Sequence, residues 1–135
     1  ELKPSRLIQA EMRTLLQQLV DATRGRSKLD ISLDMHGECE LPPDVKVAFY
    51  RIAQEALHNI LKHAGAKHVH LSLRCSSKNN TLKVLDDGCG FKQEDIGPGH
   101  FGVQIMQERA ASVQAELDID TAPGEGTAIN LTWRN

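Results

Sequence analysis

Apolar residues at Val45, Ala48, Phe49, Ile52, Ala53, Ala56, Leu57, Ile60, Leu61 and Ala64 share one face at a spacing of about 3.6 residues, and the pattern predicts a helix from about Asp44 to Ala64. Asp44, after two prolines, suits an N-cap, and Gly65 suits a left-handed C-cap. Upstream, Ile8, Met12, Leu15, Leu16 and Leu19 step helically between Pro4 and Gly25, which predicts an amphipathic helix over 4–22. Other segments alternate with period two and predict strands: Leu29 to Met35, Val69 to Cys75, Thr81 to Leu85, Glu116 to Thr121 and Thr127 to Trp133. The second and third flank a polar Lys-Asn-Asn turn and form an antiparallel hairpin. Helical spacing returns from Gly102 to about Ala115, whereas Phe91 to Phe101 shows neither period and reads as a mobile loop. The fold class is therefore α/β (α+β): a two-layer sandwich whose mixed, mostly antiparallel five-stranded sheet carries three helices on one face.

A chain of 135 residues makes one domain, able to bury roughly two thirds of its unfolded surface. Aromatic side chains are only 4% of it, so the core must be Leu, Ile, Val and Ala. A net charge of -2 supplies no basic field for nucleic acid. No apolar run approaches the ~20 residues that span a bilayer. Cys39, Cys75 and Cys89 are odd in number and lack C-x-x-C spacing, the pattern of a reduced, intracellular chain without a disulfide framework. A start at Glu1 rather than methionine suggests an excised fragment and leaves room for a membrane span upstream in a parent protein.

On the polar side of the long helix, Arg51, Glu55, Asn59 and Lys62 follow at steps of three or four, so their side chains are neighbours. A solvated helix face would look similar, and the glycines decide the matter. Gly97-Pro98-Gly99-His100-Phe101-Gly102 matches G-x-G-x-x-G, but a polar loop stands where a dinucleotide fingerprint needs a strand. His63, His68 and His70 lack a fourth ligand for zinc and read as solvated edge histidines, and Cys89 between two glycines marks space rather than reactivity. Taken together, Asp86-x-Gly88-x-Gly90, Gly97 to Gly102 and Gly124-x-Gly126-Thr127 offer backbone N–H groups suited to phosphates. Asp86 can accept a hydrogen bond from an exocyclic amino group, and Asn59 can offer an amide oxygen to Mg²⁺.

In this order E-x-x-x-N-x-x-K-H, D-x-G-x-G, the glycines before the third helix and G-x-G-T resemble the four boxes of the GHKL (Bergerat-fold) ATPase superfamily. The runs FYRIAQEALHNILKHA, DDGCGF, GHFGVQIMQERA and GEGT resemble the catalytic ATP-binding domain of bacterial two-component sensor histidine kinases of the nitrate/nitrite-sensor-like subfamily. The resemblance spans roughly Leu29 to Trp133. It implies a protein histidine kinase domain that binds ATP and Mg²⁺, with Glu55 and Asn59 catalytic and Asn59 the metal ligand. In hydrolytic members the glutamate activates water, whereas in a kinase Glu55 would orient a metal-bound water. Lys62 and His63 would approach the phosphates, and Asp86 would take the adenine amino group, assisted through water by Thr127 beside Gly126. Gly88 and Gly90 would line the base pocket, and Gly97, Gly99, His100 and Gly102 would belong to an ATP lid over 91–102.

The same resemblance divides the single domain into an N-terminal helix and linker, 1–28, from a missing dimerisation domain, and an ATP-binding core, 29–135. The γ-phosphoryl group would pass to a histidine on that adjacent domain and thence to a response regulator. The fragment would be a monomer unable to autophosphorylate, from a cytoplasmic, homodimeric kinase that does not bind nucleic acid. His58, Val103 and Gln107 depart from the family's usual residues, none at an expected ligand position. Two alternatives stand: an anti-sigma-factor-type serine kinase and a non-catalytic ATP-sensing module. The ERA run of the third helix and Leu2-Lys3-Pro4, similar to a linker leaving an upstream helix, favour the first reading.

Overall fold

The computed structural model describes residues 4–92 and 101–135. The predicted N-terminal helix is two helices, α1 (Pro4–Gln9) and α2 (Met12–Gly25). Glu11 adopts an extended conformation between them, and the Lys46 ammonium donates to the Ala10 carbonyl at 2.8 Å. The break has a packing reason: Leu7 and Met12 are not at helical-face spacing, and the bend lets both be buried. Gly25 is the last residue of α2 rather than the one after it.

Strand β1 (Asp30–His36) follows, and the chain then enters α3 (Pro43–Asn59). Its N-cap is Pro42, not Asp44. Pro43 takes the first helical turn, where its missing N–H costs nothing, and the Asp44 carboxylate accepts from the Val45 N–H at 2.9 Å. Beyond Asn59 the helix widens into a π-helical turn, Ile60–Ala64, ended by Gly65 with φ of 61°. Next come β2 (His68–Cys75), β3 (Asn79–Asp86), α4 (Phe101–Ser112), β4 (Glu116–Thr121) and β5 (Thr127–Arg134). The hairpin turn is Ser76 to Lys78, and Asn79 and Asn80 belong to β3.

The sheet order is β1-β2-β3-β5-β4, with β1 and β2 parallel and every other pair antiparallel. One row on the inner face runs Leu33, Leu71, Val84, Ile129, Ile119, all apolar. The opposite face carries Asp34, Ser72, Lys83, Asn130 and Asp118 in register, so the helices cover one side only and the mixed two-layer fold is as expected. Helix α3 lies over β3 and β5 and packs against α1, α2 and α4. Residues 4–25 are integral to this core, with Leu7, Leu16 and Val20 wholly buried.

The cysteines overturn the expectation of a chain without disulfides: Cys39 and Cys75 are bonded to each other. Sequence spacing could not reveal the pair, because the two cysteines meet only when the loop after β1 crosses the end of β2. There Gly37 presses on the backbone of Cys75 so closely that a Cβ would collide with its carbonyl.

Candidate functional site

The inner-face rows change character at one end of the sheet. Ile31 and Val69 are followed in register by Asp86, Thr127 and Thr121. Polar groups thus line up where β3, β5 and β4 emerge beneath the C-terminal half of α3. A cavity of about 450 Å³ opens there. Helix α3 contributes Glu55, His58 and Asn59, the π-helical turn contributes Lys62, the strands and their loops contribute Asp86, Cys89, Gly90, Phe91, Ile119, Thr127 and Ile129, and α4 contributes Gly102, Val103, Ile105 and Met106. Apolar walls with a few convergent polar groups are what a small-molecule site requires.

Asp86 ends β3 half-buried. Burial pushes its carboxyl pKa up, the neighbouring Asp87 charge adds to this, and hydrogen bonds from the backbone of Gly88 and Thr127 oppose it. The Gly88 N–H reaches its Oδ1 at 2.8 Å, so Gly88 supports the carboxylate from behind while remaining buried. Gly126, with φ of 73°, sits so close to the Asp86 carbonyl that any Cβ would collide with it. Thr121, absent from the sequence-derived candidates, joins these pieces: its hydroxyl donates to the Gly126 carbonyl at 3.2 Å, meets the Thr127 hydroxyl at 2.9 Å and accepts the Phe91 N–H at 3.0 Å. Along β4 it alternates like any strand residue. Only its pairing opposite Thr127 gives it away.

At the α3 side, Glu55 and Asn59 converge beneath the start of α4. A Cβ on Gly102 would stand 2.6 Å from Asn59 Nδ2, 2.7 Å from Glu55 Oε1 and 2.8 Å from Asn59 Oδ1. Gly102 therefore lets α4 rest directly on both side chains. A carboxylate and an amide oxygen side by side are hard donors, and they suit Mg²⁺. Lys62 lines the same cavity with its side chain exposed. Arg51, on the same helix edge, turns away to Gln54 at 3.1 Å, with its guanidinium 5.9 Å from the Tyr50 ring centre.

Two of the departures from family pattern, His58 and Val103, do stand in the cavity wall. The π-helical turn immediately after Asn59 changes the winding by which Lys62 follows it. His68 and His70 lie on the opposite sheet face, bonded to Asp87 at 2.7 Å and Ser32 at 2.6 Å. Gly97, Gly99 and His100, the side chain of His63 and the Leu2-Lys3 lead-in lie outside the described residues.

Residues 44–135 match the family model described as histidine kinase-, DNA gyrase B-, and HSP90-like ATPase. Among curated proteins, the chain is 40% identical over 91 residues to the signal transduction histidine-protein kinase/phosphatase DegS of Brevibacillus brevis, covering 67% of this chain and 24% of that protein. It is 30% identical over 130 residues to the sensor histidine kinase LiaS of Bacillus subtilis (96% and 36%), and 28% identical over 135 residues to the nitrate/nitrite sensor protein NarQ of Escherichia coli (96% and 23%). The chain thus spans between 23% and 36% of the length of these relatives. In structure it is similar to the Acinetobacter baumannii histidine kinase AdeS, with a TM-score of 0.74 at 15% identity over 92% of this chain and 64% of that one. The mycobacterial sensor histidine kinase MprB gives 0.69 at 17% identity over 93% and 95%. At such identities the likeness is one of fold.

Proposed function

Because the chain belongs to the histidine kinase-, DNA gyrase B- and HSP90-like ATPase family, we propose that it is the ATP-binding catalytic domain of a sensor histidine kinase. The observation that carries the reading is the half-buried Asp86 carboxylate at one cavity with Glu55 and Asn59. Asp86, an acceptor without a donor when ionised, receives the adenine amino group while Ile119, Ile129 and Met106 pack on the base. Thr127, fixed by Thr121, assists at the same edge, Gly90 lines the base pocket, and Gly88 and Gly126 hold Asp86 from behind. Asn59 would hold Mg²⁺ with Glu55 beside it, and the ion when bound would supply charge neutralisation to the triphosphate. Lys62 and His63 face the phosphates, with Gly97, Gly99 and His100, and Gly102 at the start of α4, as further neighbours on the side of a lid over 91–102. Catalysis on this reading is positioning plus electrostatics: the residues hold the γ-phosphoryl group in line for an incoming histidine and exclude water.

The acceptor histidine belongs to a dimerisation domain, which passes the phosphoryl group to a response regulator. The parent kinase is a homodimer with this domain in the cytoplasm, and the isolated domain is a monomer that does not phosphorylate itself. No described helix is long and apolar enough to cross a membrane, so an anchor would lie elsewhere in the parent.

Asn59→Ala tests the reading. It removes one oxygen ligand while leaving the apolar face of α3 intact, and Ala improves helix propensity by a few tenths of a kcal/mol, about 0.5 at most. The expected result is an unchanged melting temperature, ATP binding that no longer responds to Mg²⁺ in calorimetry, and steeply reduced transfer of labelled γ-phosphate in the parent kinase. In the native kinase the label should be acid-labile, as phosphohistidine is. An acid-stable product would point to a serine kinase, and native transfer by Asn59→Ala would remove Asn59 from the site.

A further inference from the structure

Asp86 is followed by a second aspartate whose side chain turns to the other strand. Asp87 Oδ1 accepts the N–H groups of Lys67 and His68 at 2.8 and 3.0 Å, and its Oδ2 meets His68 Nδ1 at 2.7 Å. The Asp87 N–H returns a bond to the His68 carbonyl at 3.3 Å. At the start of β1, Asp30 donates its N–H to the Lys67 carbonyl at 2.9 Å, and its carboxylate stands 3.9 Å from His68 Nε2. One carboxylate thus ties the end of β3 to the start of β2, at the residue where β3 leaves the sheet for a loop containing Gly88 and Gly90.

We propose that Asp87 and His68 are positioning residues for the carboxylate of Asp86, holding it in the orientation that distinguishes an adenine nucleotide from one without the exocyclic amino group. The inference rests on the proposed role of Asp86 as the base-reading group. On its β5 side Asp86 is held by Thr127 and by the close approach of Gly126. On its other side Asp86 pairs with Val69 and its Oδ1 accepts the Gly88 N–H at 2.8 Å, and the hydrogen bonds of Asp87 fix the stretch of backbone between those two holds. Hydrogen bonds from the His68 backbone, the His68 ring and the Lys67 backbone hold the Asp87 carboxyl well below the usual aspartate range, so the fastening is ionised at neutral pH. Both side chains are exposed, and an exposed pair contributes little to stability. Its effect is expected in the geometry of its neighbour.

The test compares affinities of this chain for ATP and for inosine triphosphate, which carries a carbonyl oxygen where adenine carries its amino group. A hydrogen bond to a charged group distinguishes the two by roughly tenfold or more. Asp87→Ala should lose most of that ratio. His68→Ala, which leaves Asp87 its two backbone bonds, should lose part of it. Asp87→Asn should recover much of the ratio, because its amide oxygen still accepts those two N–H groups. A fastening with only a structural role would lower the melting temperature and leave the ratio native, and that result in Asp87→Ala overturns the proposal. If Asp87→Ala does not fold, His68→Ala decides instead, with a native ratio overturning it. Asp86→Asn separates the two levels: a native ratio there removes Asp86 as the base reader, whereas a reduced ratio there with native ratios in both neighbours' variants removes only the positioning pair.

Discussion

Asp86 and Asp87 are adjacent and chemically alike, yet the fold shifts them in opposite directions. Asp87 is held low by the bonds it accepts, so its contribution to stability is present above the ordinary value of 3.8 and is lost as pH falls through its lower folded pKa. Asp86 is raised above 3.8, chiefly by burial. Its contribution therefore has the other sign: stability is fullest below 3.8 and is lost as pH rises through the folded value. The ionised form that costs stability is the form that accepts an amino group. ATP affinity should accordingly fall when pH is lowered from neutrality toward 3.8, before an ordinary aspartate would protonate. Nucleotide phosphates titrate in part of the same window, so the readout is the difference between native protein and Asp86→Asn in a calorimetric pH series. Identical slopes for the two proteins would show that Asp86 does not gate binding. Asp86, Asn59 and Gly126 were legible in the sequence because each sits in a spaced motif. Thr121 was not, since its role comes from lying opposite Thr127 and below Phe91, a relation of strand register.

At the scale of elements, hydrophobic periods located every strand and the body of each helix, because burial on one face is what the period records. Ends and interruptions were less legible. The break at Ala10 and Glu11 carries no proline or glycine, and it follows from burying both Leu7 and Met12. The π-helical turn after Asn59 leaves no compositional mark at all. Helix α4 was expected to reach Ala115 but stops at Ser112, in a motif where the Ala115 N–H bonds the Ala110 carbonyl at 2.9 Å and the Gln114 N–H bonds that of Ala111 at 3.1 Å. Gln114 takes the left-handed position with φ of 57°, where a side chain costs roughly 1 kcal/mol. Gln114→Gly should therefore raise stability by up to about 1 kcal/mol, part being offset by the greater freedom of glycine in the unfolded chain. Urea unfolding measures it as a higher midpoint at unchanged slope. An unchanged or lower midpoint would show that the Gln114 side chain makes a compensating contact.

At the scale of the whole molecule the question is what residues ahead of Leu29 contribute. The family resemblance implies that residues 1–28 are an N-terminal helix and linker from a dimerisation domain. In the structure, Leu7, Met12, Leu15, Leu16, Leu19 and Val20 are buried in the same cluster as Phe49, Ile52 and Leu57 of α3. Helix α3 is in contact with α1 and α2 as well as with α4. Burying one such side chain stabilises by roughly 1.5–3 kcal/mol. Exposing the partners of all of them would therefore cost on the order of 10 kcal/mol, comparable to the whole stability of a domain. A fragment comprising residues 29–135, although it retains every motif box, should lack a cooperative thermal transition, whereas the chain of 135 residues should melt cooperatively. Leu16→Ala in the full chain probes the same contact more gently and should cost roughly 2–5 kcal/mol. Leu16 does not line the cavity, so Leu16→Ala should keep native ATP affinity at temperatures where it remains folded. A fragment 29–135 that melts cooperatively near the temperature of the full chain would show that α1 and α2 merely rest on α3, and would return the domain's boundary to Leu29.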